Sequence, residues 1–416
     1  MADLILRNAR PERSSRTVDI AVTDGLVSAL GPALPQTAAE EIECAGRVVL
    51  PGLIESHLHL DKALLDERRP NPDGSLDGAI SVTGELKKGF TASDVRTRAR
   101  TVVERAVTHG TTLIRAHPDV DPIVGLLGVD VLTGLREEYR DVVDLQIVAF
   151  PQEGILRAPG TLELLREAMR RGADVVGGCS YNEATAEDCR RHVDLVFQLA
   201  REFGAPVDIH ADFADDASDP RYDLAGYIAD TTRETGWSGR VALGHMTALG
   251  GRPPAERSVL LRSLAEAGVA VVPLPATDVF LGGRRDDTAV RRGVAPVREL
   301  WEHGVTTAYS SNNIRNAFTP YGTADLLDVG LFLAQTGHLS GAEDLARVVH
   351  MATHGAASVV GVADRYGLRP GAAADLVVLD TTRFDDVLLD RPARLYVLKS
   401  GRVVARTRTT TELLHH

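Results

Sequence analysis

The chain has 416 residues, of which 44% are hydrophobic and 25% charged, a composition typical of a globular protein and a length that suits an α/β barrel with a small companion domain. Its net charge of −12, without a basic cluster, argues against nucleic acid or an anionic membrane as a partner. The three cysteines form no CxxC pair, no apolar run approaches the ~20 residues of a membrane span, and the amino terminus lacks the apolar core of a signal peptide, so we expect a soluble, cytoplasmic protein.

Apolar runs and amphipathic segments alternate along the chain. The first 50 residues contain short strand-like pieces, and eight apolar runs follow between about residues 47 and 312. In order, the eight runs are RVVLPGLIESHLHL, TTLIRAH, VDLQIVAFP, ADVVGGCS, APVDIHAD, RVALGHM, GVAVVPLP and GVTTAYSS. Helical patterns lie between them, and two of these, TASDVRTRARTVVERAVTHG and TAEDCRRHVDLVFQLAREFG, begin with Thr and end with Gly as capped helices do.

Eight buried strands alternating with helices predict a closed parallel (β/α)8 barrel over residues 51–361. A doubly wound open sheet is the competing arrangement, but no glycine-rich phosphate-binding pattern follows any strand. After helices expected at roughly 323–360, strand and turn patterns return. We expect residues 1–50 and 362–410 to form one small β domain built from both termini. His415 and His416 end the chain and are interpreted as a tail or tag remnant.

Histidines collect at the ends of the predicted strands, where a barrel of this kind carries its chemistry. His57 and His59 in SHLHL are two residues apart, so on a strand both imidazoles point to the same face. Such a pair fits either a divalent-metal site or two hydrogen-bonded core histidines. Two further strand-end histidines, His210 in VDIHADF and His245 in ALGHMTAL, favour the metal site, because catalytic zinc-type sites commonly use three protein ligands.

Other polar residues near the strand ends are harder to interpret. The alternation in VDIHADF places Asp208 and Asp212 on the same strand face as His210. His117 in RAHPDVDP is either a site residue or a loop organiser, and both interpretations stay open. The histidines on predicted helices or at their ends are interpreted as structural: His109, His192, His303, His338, His350 and His354.

Several motifs occur together in an order and spacing that resemble the amidohydrolase superfamily. They are PGLIESHLHLDKALL, FPQEGIL, HADFADD, GHMTAL and SSNNIRNAFTPYG, and the later LRPGAAADLVVLD resembles the carboxyl-terminal β segment of that superfamily. The chain looks most like the cytosine-deaminase-like branch, which includes triazine-ring hydrolases. The resemblance covers nearly the whole chain and implies a distorted (β/α)8 barrel with a β-sandwich split between the termini.

Carried over position by position, the resemblance implies one divalent metal ion (zinc, iron, cobalt or manganese). It implies that His245 orients or polarises the hydrolytic water and that Gln152 in FPQEG binds substrate. Lys62 follows the histidine pair as a DK sequence does in this branch, although an ion pair with a nearby aspartate is an equally good reason for it. The implied imidazole ligands are His57, His59 and His210.

Two positions depart from the family pattern, and each lacks a carboxylate. Asn312 stands where the family has a strand-eight aspartate that binds metal and accepts a proton, although Asn313 is only one residue away. Its amide oxygen can still bind a metal, but it carries no charge and accepts no proton near neutral pH, so we expect weak metal binding. Phe213 stands where deaminases have a proton-transferring glutamate, and it offers an apolar wall or a stacking face instead.

The remaining groups still support hydrolysis. Three neutral imidazoles leave the full charge on the metal, which can bring the pKa of a bound water towards ~7 without a carboxylate. We therefore expect a metal-dependent amidohydrolase that uses a metal-bound hydroxide, with His245 as relay, to cleave an amide, amidine or exocyclic amine C–N bond of a small cyclic molecule other than cytosine. Asp278 in PLPATDVF is the carboxylate best placed to substitute, ahead of those that flank Phe213, which are Asp212, Asp215 and Asp216.

Two other functions remain open at this point. One is a metal-poor or metal-free barrel with lyase or isomerase chemistry, in which His245, Lys62 or an aspartate is the catalytic residue. The other is a catalytically silent ligand-binding protein. The four strand-end imidazoles favour the hydrolase, whereas the two missing carboxylates favour the alternatives. The expected partners are a small-molecule substrate and further copies of the chain in a homo-oligomer.

Overall fold

The computed structural model describes residues 2–414, so the interpretation of His415 and His416 as a tail lies outside the described residues. The strands, in chain order, are β1 (Ala2–Pro11), β2 (Val18–Thr23), β3 (Leu26–Gly31), β4 (Ala38–Glu43), β5 (Val48–Pro51), β6 (Leu53–Leu58), β7 (Thr111–Ala116), β8 (Asp144–Ala149), β9 (Val175–Cys179), β10 (Val207–Ala211), β11 (Val241–His245), β12 (Val269–Val272), β13 (Leu376–Leu379), β14 (Arg394–Lys399) and β15 (Arg402–Arg406).

The helices surround the strands, as expected of an α/β barrel. They are α1 (Leu76–Lys87), α2 (Ala92–Thr108), α3 (Leu127–Tyr139), α4 (Thr161–Arg170), α5 (Ala186–Phe203), α6 (Ala225–Thr235), α7 (Pro254–Ala267), α8 (Pro275–Leu281), α9 (Val297–Glu302), α10 (Leu326–Thr336), α11 (Ala342–Met351), α12 (His354–Val359) and α13 (Asp386–Asp390). The predicted caps of α5 are confirmed, since Thr185 accepts a hydrogen bond from the Asp188 amide at 3.0 Å and Gly204 ends the helix with φ of 61°. Within residues 2–414, no helix is both long and apolar enough to cross a membrane.

Seven parallel strands, β6 to β12, form the barrel and pair in sequence order. Their residues are almost all buried, because helices cover the outer face and side chains fill the interior. These seven strands correspond to the first seven predicted apolar runs. The α/β fold and the parallel barrel are thereby confirmed.

The eighth predicted strand is wrong as a regular strand. The segment GVTTAYSS makes only isolated bridges, Val271 with Thr307 at one edge and, just beyond it, Leu58 with Asn312 at the other. The Glu55 carboxylate instead accepts hydrogen bonds from the hydroxyls of Ser310 and Ser311 and from the Ser311 amide. Side-chain hydrogen bonds thus replace a strand ladder where the barrel closes, which makes it a distorted (β/α)8 barrel.

Strands from both ends of the chain share a second sheet. Its order is β15-β14-β13-β5-β1-β2-β3, with β4 paired to β1. The junction to the barrel is at Gly52, between β5 and β6, where a Cβ atom would lie only 2.1 Å from the hydroxyl oxygen of Thr112. Only glycine fits at that position. The division into a β domain of residues 1–50 and 362–410 and a barrel of residues 51–361 stays a prediction.

Candidate active site

Three imidazoles converge at the carboxyl-terminal end of the barrel strands. The Nε2 atom of His210 lies 3.1 Å from Nε2 of His57 and 3.2 Å from Nε2 of His59. Nitrogen ligands about 2.0–2.1 Å from a tetrahedral metal are separated by roughly 3.3 Å, so the observed spacing suits one divalent ion. The sequence-predicted ligands are thus brought together, and all three are buried.

The protonation of these imidazoles also fits a metal. Burial, reinforced by neighbouring imidazoles, lowers the pKa of His57 to about 3 and holds the pKa of His210 well below its ordinary value. Neutral imidazole is the form that binds metals. Nδ1 of His59 lies 2.9 Å from the carbonyl oxygen of His117, and a proton donated there leaves the Nε2 lone pair free.

Asn312 lines a small cavity together with His59 and His210. The backbone N–H of Asn312 donates to the backbone carbonyl of His57 at 3.0 Å, and its backbone carbonyl accepts from the backbone N–H of His59 at 2.8 Å. These two hydrogen bonds fix the backbone of Asn312 beside the ligand pair. Its φ is 58°, and its buried Oδ1 has no hydrogen-bond partner among the described residues. Oδ1 of Asn313, by contrast, accepts a hydrogen bond from Asn316 at 2.8 Å. The free amide oxygen therefore belongs to Asn312.

His245 is held by a buried carboxylate. Its Nδ1 lies 2.6 Å from Oδ1 of Asp278, whose Oδ2 accepts a hydrogen bond from the Leu274 amide at 2.9 Å. Burial raises the pKa of Asp278, although His245 opposes the rise. Gly244 precedes His245 because a Cβ there would come within 3.0 Å of the His57 ring. Asp278 therefore reaches the site through His245, an arrangement suited to proton transfer.

Phe213 lies where the sequence comparison expects a carboxylate. Its ring stacks on the imidazole of His245, with centroids 4.0 Å and planes 13° apart. Tyr181 meets Phe213 edge-on at 6.2 Å, and Phe318 belongs to the same apolar cluster. One wall of the cavity is therefore aromatic.

Lys62 and Gln152 lie together on another wall. The Lys62 ammonium is 2.5 Å from a carboxylate oxygen of Asp119 and 3.4 Å from Oε1 of Gln152. Lys87 continues the charged network and binds Asp119, Asp121 and Glu153. Lys62 therefore forms the buried ion pair that one interpretation expects, and it also lines the cavity, where its functional role stays a prediction.

The cavity itself is small. Its volume is about 10 Å³, roughly the space of a single water, so a heterocycle enters only after some lining side chains move. Among the residues that the structure describes, neither Asp nor Glu lines it. The lining residues are His59, Lys62, Gln152, Tyr181, His210, Phe213, His245, Thr277, Asn312, Asn313 and Phe318.

The aspartates around Phe213 have other roles. The carboxylate of Asp212 accepts hydrogen bonds from the amides of Leu224 and Ala225, at 2.9 and 3.1 Å, and so caps α6. Asp215 accepts a hydrogen bond from the Gly283 amide at 2.8 Å. None of Asp212, Asp215 and Asp216 lines the cavity, so Asp278 is the nearby aspartate that contacts a cavity-lining imidazole.

The sequence did not identify Arg115 as a residue of the site, and it left open whether His117 belongs to the site or organises a loop. The guanidinium of Arg115 lies 2.9 Å from Asp208, on whose other carboxylate oxygen His117 and His57 converge. One signal was available in TTLIRAH, because an arginine inside a buried strand requires a buried acidic partner. Tyr181, Thr277 and Phe318 gave no comparable signal.

The chain is similar to amidohydrolases over nearly its whole length. The model of the amidohydrolase family matches residues 40–405. The N-isopropylammelide isopropyl amidohydrolase of Pseudomonas sp. (strain ADP) is 29% identical over 413 residues, 97% of each chain. The pterin deaminase of Rhizobium rhizogenes is 31% identical over 395 residues, 94% of this chain and 88% of the relative. The 5-methylcytosine deaminase of Klebsiella pneumoniae, solved with 5-fluorocytosine, aligns with a TM-score of 0.93 and 30% identity over 99% of both chains.

Proposed function

The chain belongs to the amidohydrolase family, and we propose that it hydrolyses the exocyclic carbon–nitrogen bond of an oxo-substituted nitrogen heterocycle. It is a hydrolase of carbon–nitrogen bonds other than peptide bonds, like the relatives named above. The observation that carries the proposed substrate class is the cavity lining, which combines hydrogen-bond donors and aromatic faces but no carboxylate among the described residues.

His57, His59 and His210 would hold one divalent metal ion, with the amide oxygen of Asn312 as a fourth, uncharged ligand. When bound, the ion supplies positive charge that lowers the pKa of water and polarises the substrate. The tight Nε2 spacing and the unpartnered Asn312 Oδ1 support this assignment. Zinc, iron, cobalt and manganese all suit such a donor set.

His245 would move the protons. Its Nδ1 faces Asp278, so its Nε2 is free to take a proton from the attacking water and return it to the leaving amine nitrogen. The bond from water oxygen to ring carbon forms and the exocyclic C–N bond breaks. Because neither Asp nor Glu lines the cavity within residues 2–414, ring-nitrogen protonation of the kind expected for cytosine has no carboxylic donor.

The donors on the facing wall would recognise the ring. Lys62 carries an ammonium, and the side-chain amides of Gln152 and Asn313 also line the cavity. Ammonium and amide N–H groups match ring carbonyl oxygens, while Phe213 and Phe318 offer faces for a planar ring. Two relatives are named for action on N-isopropylammelide and on pterin, and nitrogen heterocycles are the class proposed here.

The test is a turnover screen with the zinc-loaded protein on pyrimidines, triazines and pteridines that carry amino or alkylamino groups beside ring oxo groups. Release of ammonia or alkylamine, followed by coupled assay and mass spectrometry, is expected for a member of this set, with cytosine turned over more slowly. The His245→Gln variant serves as the matched control and should be inactive. Absence of amine release across the panel, by protein shown to hold metal, would refute the proposed substrate class.

A further inference from the structure

A buried cluster lies behind the ligand histidines, on the side away from the cavity. The two oxygens of the Asp208 carboxylate face different partners. Its Oδ2 accepts a hydrogen bond from Arg115 at 2.9 Å, and its Oδ1 lies 3.2 Å from Nε2 of His117 and 3.5 Å from Nδ1 of His57. None of these four side chains is more than 2% exposed.

We propose that Asp208 is a positioning residue that holds His57 in the tautomer with its proton on Nδ1, so that Nε2 keeps its lone pair towards His59 and His210. This inference rests on the metal site in the proposed function. A neutral imidazole has one N–H, and the nitrogen that faces a carboxylate is the one that carries it. In the opposite tautomer, the Nδ1 lone pair would face Oδ1 of Asp208 and the N–H would point into the metal position.

The rest of the cluster keeps Asp208 in this role. His117 stacks on His57 with ring centroids 3.7 Å apart, and its Nε2 faces the same carboxylate oxygen. Arg115 supplies the positive charge that a buried carboxylate requires, and it is held by Gln146 Oε1 at 2.6 Å and the Val359 carbonyl at 3.0 Å. A guanidinium this close also disfavours a second metal ion between His57, His117 and Asp208.

The strand register explains how one residue serves both sides of the site. Asp208 and His210 are two residues apart on β10, so both side chains point into the barrel at successive levels. His210 reaches the ligand cluster directly and Asp208 reaches it through His57. A carboxylate behind a ligand imidazole raises the basicity of that ligand. In this chain Arg115 pairs with that carboxylate, so Asp208 fixes the tautomer of His57 without adding net negative charge beside the metal site.

The test compares zinc affinity of the wild type and Asp208→Asn, measured by competition with a chromophoric chelator. We expect Asp208→Asn to bind zinc about 10–100-fold more weakly. The matched control is Asp212→Asn, which removes a buried carboxylate from the same strand end but one that caps α6. Its zinc affinity should equal that of the wild type.

The outcomes separate this inference from the proposed function. A wild type that binds neither zinc nor iron, cobalt or manganese overturns both. A wild type that binds zinc, with Asp208→Asn unchanged or with Asp212→Asn equally weakened, overturns the role of Asp208 alone. If Asp208→Asn does not fold, the tautomer of His57 is measured directly in the metal-free wild type from the 15N chemical shifts of the imidazole rings. The signals of His57 are identified as those lost in His57→Gln. A proton on Nδ1 of His57 supports the inference and a proton on Nε2 overturns it.

Discussion

The ring of Phe213 lies parallel to the imidazole of His245, with centroids 4.0 Å apart and planes 13° apart. Asp278 holds the edge of the same imidazole at Nδ1, 2.6 Å away. His245 is therefore fixed by an aromatic face and by a carboxylate, and its remaining nitrogen serves the cavity. In the proposed function, the aromatic residue at the position of the expected carboxylate would orient the base instead of donating a proton.

Replacing Phe213 by Leu should lower both stability and turnover. Loss of the stacked pair and a small void should lower the free energy of unfolding by about 1–2 kcal/mol, and a less constrained His245 should lower kcat. Urea unfolding and steady-state kinetics measure the two effects. Phe197→Leu, on the buried face of α5, is the control and should lose stability without losing kcat. Equal kcat values for the two variants would show that the stacking does not orient His245.

Replacing Asn312 by Asp should strengthen metal binding. A carboxylate would replace the neutral, unpartnered Oδ1, and we expect zinc affinity to rise about 10–100-fold, the scale on which altered metal-site groups act. Without metal the same variant should be less stable than the wild type, because its new charge is buried and unpaired. Asn313→Asp, at the neighbouring residue that is already bonded to Asn316, is the control. Tighter zinc binding by Asn313→Asp alone would mean that the ligand is Asn313.

Replacing Asp278 by Asn should lower kcat about 10²–10⁴-fold with little change in zinc affinity. The neutral amide has one acceptor oxygen where the carboxylate offers two, to His245 and to the Leu274 amide, so His245 loses its preferred tautomer and the stabilisation of its charged form. The pH profile of kcat should shift as well. Asp215→Asn, which alters a loop carboxylate outside the cavity lining, should retain full turnover. A similar loss in both variants would point to a general disturbance of the loops.

The stability of the protein should carry a pH-dependent contribution from Asp212. Burial raises its pKa from 3.8 to about 7 in the folded chain, against partial opposition from the amides it caps. Between these values the folded state binds a proton that the unfolded chain has released, so stability falls as pH rises, by up to about 1.4 kcal/mol per pH unit, and is constant above pH 7. Asp212→Asn lacks this contribution. Its stability relative to the wild type, from urea midpoints, should therefore increase from about pH 4 to about pH 7, and a constant difference would contradict the raised pKa.

Much of the fold followed from local pattern. Seven of the predicted strands are continuous apolar runs, and such runs have few alternatives in an α/β chain of this length. The eighth predicted strand is wrong because the conformation of that segment depends on a side chain distant in the sequence. Glu55 binds the serines of the segment, and Asn312 adopts a left-handed backbone at its end, and neither feature is visible in a hydropathy pattern.

The candidate site was predictable where residues share a strand face. The pair His57 and His59 is set by spacing, and a third imidazole on another strand end is a natural complement. The groups that depend on packing were not predictable. The stacking of Phe213 on His245 and the approach of Arg115 to Asp208 join residues from different strands, and single-sequence spacing carries no record of such contacts.

The metal content of the purified chain decides whether the three histidines form a metal centre, and plasma mass spectrometry determines it on protein prepared without chelator or affinity metal. The result expected is about one divalent ion per chain, lost in His59→Ala while the fold is retained. A chain without metal, even after incubation with excess zinc, iron, cobalt or manganese, would mean that its strand-end histidines do not form a metal centre, and the hydrolytic account would fail.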